Sequence, residues 1–284
     1  MGWAFFCPIV YGTLAGFCVS VYSGMNEFLN RATRVPAEPK LNNAACRDIV
    51  MVHSSDVHVD DEYTARSHGG DGARGLGAVL ATAKSVSADI VLLAGDVFEH
   101  NRLPLALINR AGDLLSESGL TVVILPGNHD PAMDDSVWHR GSLGDVPDVH
   151  ILGVTHKNRV RFDHHDLEVW GRAHRDYDNM APLARPPRRR ARWHIVMAHG
   201  HYEPKPDPRT ALRPSWLLGD KEIAATGADY LALGHWNRPV PVGNGSVPAY
   251  YSGSPELADT VNLIRLSDKK GVSVEREPIL WDVR

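Results

Sequence analysis

The sequence predicts an α/β fold: a parallel sheet carrying a metal site at its strands' carboxyl ends, a second and mainly antiparallel sheet packed on it, and helices outside. Three observations lead there. Five short apolar runs each end in a polar cluster rich in Asp, His and Asn: DIVMVHSSDVH, ADIVLLAGDVF, LTVVILPGNHD, WHIVMAHGH and DYLALGHWN. Each run holds four to six residues rich in Val, Ile and Leu, continuously apolar as expected of strands buried on both faces. Between the first three runs, GARGLGAVLATAKSVSA and LPLALINRAGDLLSESG repeat apolar residues at helical spacing, the second with a Gly stop, giving a strand-helix alternation that implies parallel pairing.

Along the chain, residues 1–26 carry no charge and include WAFFCPIVYGTLAGFCVSVY, which approaches the roughly 20 apolar residues a membrane span needs. A secretory signal would want a basic n-region, but only Met1 and Gly2 precede the run. The basic residues Arg31, Arg34, Lys40 and Arg47 follow it, so a membrane anchor through residues 3–25 would leave the rest of the chain in the cytoplasm. A disordered extension is the alternative reading of this segment. Residues 27–47 mix charge, Pro and Asn without periodicity and read as a linker, so residues 1–47 are set apart from a globular domain at 48–284. After GNHD the texture changes: VHILG, RVRFDHHDLEVWG and VNLIRLSDKKGVSVERE read as short strands and hairpins, the last turning at Asp268 to Gly271.

Composition narrows the function. With 30 basic and 34 acidic residues the net charge is −4, so any nucleic-acid contact must be local. Cys7, Cys18 and Cys46 all precede the first motif, which excludes thiolate ligands and a disulfide framework from the motif region. The one dense basic run, Arg185 to Arg192, reads as a solvated, Pro-bounded loop, and His164 and His165 as a solvated turn.

The clusters carry the chemistry. Asp56 and His58 stand two residues apart past a strand, a spacing that in extended backbone puts both on one side to hold a cation. Asp96 follows Gly95, which permits a turn exposing a carboxylate as a candidate bridge between two cations. Asn128 offers a neutral oxygen, and the adjacent His129 can act on substrate. His199 and His235, each beside a glycine, supply imidazoles suited to Mn, Fe or Zn.

In this order SDVH, GDVFEHN, PGNHD, HGH and LGHWN resemble the calcineurin-like metallophosphoesterase superfamily from residue 49 to about 276. ADIVLLAGDVFEHNRLP, LEVWG and DYLALGHWNRPVPVGNGSVPAYYSGSPEL further resemble the SbcD-type DNA repair nuclease core. The resemblance implies a four-layer αββα sandwich of two mixed sheets flanked by helices, with two divalent metal ions, Mn first and Fe, Zn or Mg as alternatives. It also implies phosphoester hydrolysis, most directly of phosphodiesters, by metal-bound hydroxide. Asp56 and His58 would bind the first metal, Asp96 both, and Asn128, His199 and His235 the second, with His129 as the catalytic acid. The family's closing Gly-His-x-His reads Gly234, His235, Trp236, Asn237 here, so an amide replaces an imidazole at the first metal. That change predicts weaker binding there or a shift toward harder cations such as Mn or Mg. His201, Trp236 and Arg238 are candidate substrate contacts.

Three functions are weighed: a nuclease or phosphodiesterase on DNA ends; a phosphoesterase for a nucleotide or lipid headgroup; and a non-catalytic scaffold, which the retained ligand set argues against. Protein partners are not indicated. The resemblance implies that specificity resides in loops such as Asp60 to Gly75 and Met133 to Val149.

Overall fold

The apolar runs become the inner strands of two sheets in the computed structural model, which describes residues 48–60, 62–177, 180–205 and 216–281. The candidate anchor at residues 3–25 and the linker lie outside the described residues. Among the described residues no helix is long and apolar enough to cross a membrane.

In chain order the first half runs β1 (Ile49–Ser54), α1 (Tyr63–Ser67), α2 (Arg74–Ser85), β2 (Ile90–Ala94), α3 (Leu105–Ser118), β3 (Val122–Leu125) and β4 (Val149–Ile151). The second runs β5 (Arg159–Phe162), β6 (Leu167–Gly171), β7 (Trp193–His199), β8 (His201–Tyr202), β9 (Leu217–Leu218), α4 (Asp220–Thr226), β10 (Tyr230–Gly234), β11 (Val240–Val242), β12 (Ala249–Tyr251), α5 (Pro255–Ala258), β13 (Thr260–Ser267) and β14 (Gly271–Pro278). The Gly stop of the second predicted helix is Gly119, a left-handed cap with φ 62° at the end of α3.

One six-stranded sheet has the order β14-β13-β1-β2-β3-β4, and the other β11-β12-β10-β7-β6-β5. In the first, β1 to β4 are parallel as the strand-helix alternation predicts. The second sheet departs from the mainly antiparallel expectation. Its inner strands β12, β10, β7 and β6 are parallel, and only the edges β5 and β11 pair antiparallel. More than a dozen residues separate β6 from β7 and β7 from β10, enough for the crossovers that parallel pairing requires. The C-terminal hairpin turns where predicted, with Ser267 opposite Gly271, but it joins the first sheet against β1. Both sheets are therefore mixed, as the family resemblance implied.

Alternation along buried strands builds two cores. In β7, Ile195 and Met197 join the inter-sheet core with Leu92, Ile124, Tyr230 and Ala232, while Val196 and Ala198 pack outward with Leu231, Leu233 and Ile223 of α4. This period of two follows from the pleat, and each fully buried aliphatic contributes about 1.5–3 kcal/mol of transfer free energy. Helices α2 and α3 cover the first sheet. On the second sheet's outer face the described helical cover is thin, the short α4 aided by Leu183 from a loop.

A polar network crosses the inter-sheet core. His53 Nδ1 lies 2.8 Å from the Tyr230 hydroxyl and 3.2 Å from Asn262 Nδ2, and Arg276 donates to the Asn262 amide oxygen. Burial, reinforced by the Arg276 charge, pushes His53 down to about 3. The unfolded chain takes up this proton near pH 6.5, so stability is complete above that value and is lost as pH falls toward 3. His53→Gln is expected to flatten this acid limb, at about 1.36 kcal/mol per pH unit at most. Urea midpoints at pH 7.5, 6 and 4.5 check it; parallel declines in the two proteins would refute the assignment.

Candidate metal centre

The strand-end clusters meet because both sheets expose their carboxyl ends on the same side. Past β1 and β2 the chains stay paired, with Asp56 N–H donating to the Gly95 carbonyl at 3.0 Å and His58 N–H to the Asp96 carbonyl at 3.1 Å. Asp56, His58 and Asp96 sit at φ 53°, 50° and 51°, and His235 at 104°, a left-handed backbone that is costly for non-glycine residues and concentrates at functional sites. Gly95 is required at φ 94°, where a Cβ would meet the His199 ring. At Gly127 the reason is proximity, since a Cβ there would strike the Asp96 carboxylate.

Three overlapping groups result, each with ligand atoms within 4.8 Å of one another: Asp56, His58 and Asp96; Asp96, His199 and His235; and His58, Glu99 and His129. Asp96 belongs to two of them. Asn128 joins the second through its Oδ1, 3.0 Å from His199 Nε2. Asn237 is exposed and lines a cavity of about 690 Å³ together with Asp56, His58 and Glu99.

The donor set fits cations. His199 is fully buried, and its Nδ1 donates to the Ala94 carbonyl at 2.9 Å. Its Nε2 then faces Asp96 Oδ2 and Asn128 Oδ1, each at 3.0 Å. A lone pair aimed at two oxygens is repulsive unless a proton or a metal ion lies between them, and a backbone carbonyl on the opposite nitrogen is the usual orienter of a metal-bound His. Burial lowers the His199 pKa, but the Asp96 charge and hydrogen bond outweigh it and hold His199 at about 9. Burial would raise Asp96, yet His199 draws its carboxyl well below the usual range. Asp56 is pushed up by burial and by the Asp96 charge, against the pull of His199. Burial and the His199 charge lower His235 to about 4, leaving it neutral and able to ligate.

Glu99, which sequence reasoning passed over, organises the exposed side. Its Oε2 lies 2.6 Å from His58 Nδ1 and its Oε1 3.3 Å from His129 Nδ1, while its carbonyl is 2.9 Å from the same His129 nitrogen. The hydrogen bond to Glu99 raises His129 to about 9, and His129 and His58 lower Glu99 to about 2. The signal was its position in GDVFEHN, three residues past Asp96. Also missed were Asp130, whose buried carboxylate accepts from Phe98 N–H and Gly127 N–H at 2.9 and 2.6 Å and so clamps the Asn128 loop, and His174, 3.0 Å from the His199 carbonyl. Asp130 closes the PGNHD cluster, whereas His174 has no pattern of its own in sequence.

His201 and Trp236 lie beside the cluster. Trp236 stacks on Tyr251 at 4.6 Å and donates to His201 Nδ1 at 3.0 Å, and the His201 ring is 6.3 Å from that of His235. Arg238 is exposed and has no ion pair among the described residues. The Arg185 to Arg192 run is partly tied down: Arg189 pairs with Asp229, Arg192 with Asp268 at 2.7 Å, and Arg190 N–H donates to Glu168.

The two sheets, with carboxylates and imidazoles gathered at their carboxyl ends, have a metallophosphoesterase-type fold. Residues 49–239, well over half of the chain, match the family described as calcineurin-like phosphoesterase, and the protein belongs to that family. Relatives include the SbcD component of the nuclease SbcCD of Escherichia coli K12, 32% identical over 83 residues that cover 28% of this chain and 21% of that protein. The DNA double-strand break repair protein Mre11 of Methanopyrus kandleri is 23% identical over 80% of this chain and 52% of its own length. The chain thus spans about half or less of these curated relatives. Among solved structures, a Staphylococcus aureus protein described as a candidate 5′-nucleotidase, in complex with α-ketoglutarate, superposes with TM-score 0.55 and 15% identity over 82% of this chain and 54% of that one. A protein of Thermus thermophilus gives TM-score 0.50 and 13% identity over 82% and 99%. At these identities the structural likeness speaks to fold alone.

Proposed function

We propose that this protein is a phosphodiesterase with a dinuclear centre, acting on nucleic acid or nucleotide phosphodiesters, and that residues 48–284 form its catalytic domain. The observation that carries this reading is Asp96, the one carboxylate common to two ligand groups that otherwise share nothing. Asp56, His58 and Asn237 would complete the first site; Asn128, His199 and His235 the second. Two divalent cations, with Mn the best match to mixed carboxylate, amide and imidazole donors, would supply Lewis acidity and acidify a water. The protein's own part is proton transfer and orientation. His129 is bound to Glu99 through Nδ1, which leaves Nε2 to give its proton to a departing alkoxide. His129 N–H also donates to Asp96 Oδ1 at 2.9 Å, which ties the acid to the bridge. The SbcD and Mre11 likenesses support a nuclease-like substrate and a role in DNA repair, whereas the carboxylates Asp60, Glu62 and Glu256 lining the cavity favour a small phosphodiester.

Metal analysis of the purified protein beside turnover of bis-p-nitrophenyl phosphate and p-nitrophenyl phosphate, with a chelated control, tests the reading. Two equivalents of metal and chelator-sensitive diester hydrolysis are expected, and one equivalent or none with no hydrolysis would overturn it. Replacing the amide of Asn237 should tighten the first site. Asn237→His is expected to raise its affinity for Mn or Zn by about tenfold or more. Unchanged stoichiometry, affinity and rate would remove Asn237 from the ligand set.

A further inference from the structure

A second cavity, about 760 Å³ in volume, lies beyond the metal centre and is lined by His100, Asn101, Arg102, Met133, Asp135, Arg140 and Tyr177. Its size is within the roughly 300–1,000 Å³ of small-molecule sites. It shares His100 and Arg102 with the cavity over the metal ligands, so the two form neighbouring compartments on either side of the segment that follows Glu99.

Their charges differ. The cavity at the metal ligands gathers Asp56, Asp60, Glu62, Glu99 and Glu256 around one arginine, a surplus that metal ions would offset. Among the described residues lining it, the second cavity sets Arg102 and Arg140 against one carboxylate, Asp135, so these side chains carry a positive balance without any metal. Among the described residues no carboxylate lies within ion-pair distance of either guanidinium. Arg140 is held by the Asn101 and Leu103 carbonyls at 3.0 and 2.9 Å, which fixes the group in place while neutralising none of its charge. The Arg102 side chain is exposed at the shared wall. In the same lining Tyr177 is 44% exposed, its hydroxyl accepting from Asn101 Nδ2 at 3.2 Å, and Met133 offers a soft apolar surface. One anchored and one free guanidinium beside an aromatic ring match a phosphate joined to a flat base.

We propose that this cavity is a subsite for a nucleoside phosphate adjoining the reacting phosphoester, with Arg102 and Arg140 on the phosphate and Tyr177 against the base. The substrate is then a nucleotide chain of at least two units and not an isolated phosphoester. This rests on the reading of the metal centre as a phosphodiesterase, and the ligand's source is a free dinucleotide or the end of a DNA strand.

Binding of thymidine 5′-monophosphate and of inorganic phosphate to the full-length, metal-loaded protein, measured by calorimetry, tests the subsite without turnover. Arg102→Ala removes a side chain with no hydrogen bond to the described residues, and Tyr177→Leu removes the ring. Each is expected to weaken the nucleotide about tenfold while changing inorganic phosphate by less than about threefold. Equal losses for both ligands would mean that Arg102 serves the metal-bound phosphate, and no loss for either would mean an unused cavity; both overturn the proposal. With turnover, Arg102→Ala should lower the ratio of kcat/KM for 5′-phosphorylated thymidine dinucleotide to that for bis-p-nitrophenyl phosphate by about tenfold, and an unchanged ratio counts against the subsite. Wild-type preference for a single-stranded decamer over the dinucleotide identifies strand ends as the source, and the reverse identifies free dinucleotides. A protein that binds the nucleotide as described yet hydrolyses no phosphoester would refute the phosphodiesterase reading and leave the subsite standing.

Discussion

Asp96→Asn is expected to lose metal and turnover together, with metal affinity down by more than about 100-fold and diester hydrolysis by roughly three orders of magnitude or more. The substitution is nearly isosteric, so the backbone should survive: the Asp96 carbonyl still accepts from His58 N–H, and the amide oxygen can accept from His129 N–H. What disappears is a buried negative charge that faces His199 at 3.0 Å and is common to both ligand groups. Without it the His199 imidazole loses the main influence that raises its pKa to about 9. Metal content by elemental analysis, calorimetric metal titration and diester turnover are read on one preparation. Retention of two metals at wild-type affinity would end the bridging role.

His129→Asn is expected to behave differently: both metals stay, and turnover falls by about 10²-fold to 10⁴-fold. The side chain is partly exposed and belongs to neither of the groups built on Asp96. Its Nδ1 proton is held by Glu99, which raises His129 above the ordinary imidazole value and so favours the protonated ring that the acid role needs. Glu99→Gln removes the largest influence raising that pKa, and the alkaline limb of the rate profile should move to lower pH. Metal loss in His129→Asn equal to that in Asp96→Asn would sink this division of roles. An alkaline limb unmoved in Glu99→Gln would detach the acid from its carboxylate.

Much of this could be read from the chain because strand ends are local features. An apolar run followed by Asp, Asn or His places a polar side chain at the carboxyl edge of a sheet wherever that strand pairs, and the right residue types appeared five times in order. Asp56, His58, Asp96, Asn128, His199 and His235 stand out this way as candidates, and the structure brings them together, though Asp56 and His58 do so from left-handed and not extended backbone. Glu99 was passed over because a carboxylate next to Phe98 and His100 looks like any loop acid; its meaning lies in two histidines, at positions 58 and 129, that fold against it. Asp130 stands in PGNHD, but its part in clamping that loop, like that of His174 beside the His199 carbonyl, runs through backbone groups that residue order does not show. The second sheet was misread as mainly antiparallel because apolar alternation reports which faces are buried and not which strand lies alongside.

The sequence by itself determined the strand-helix order of the first sheet, the types and order of the candidate ligands, and the one position that departs from the family pattern, Asn237. All of these depend on neighbours a few residues apart. Tertiary structure alone decided that Asp96 stands between two ligand groups, that Glu99 controls His129, that the C-terminal hairpin extends the first sheet, and that a positive compartment adjoins an acidic one. Each of these depends on contacts between residues distant in the chain, set by how the two sheets pack and not by any local pattern.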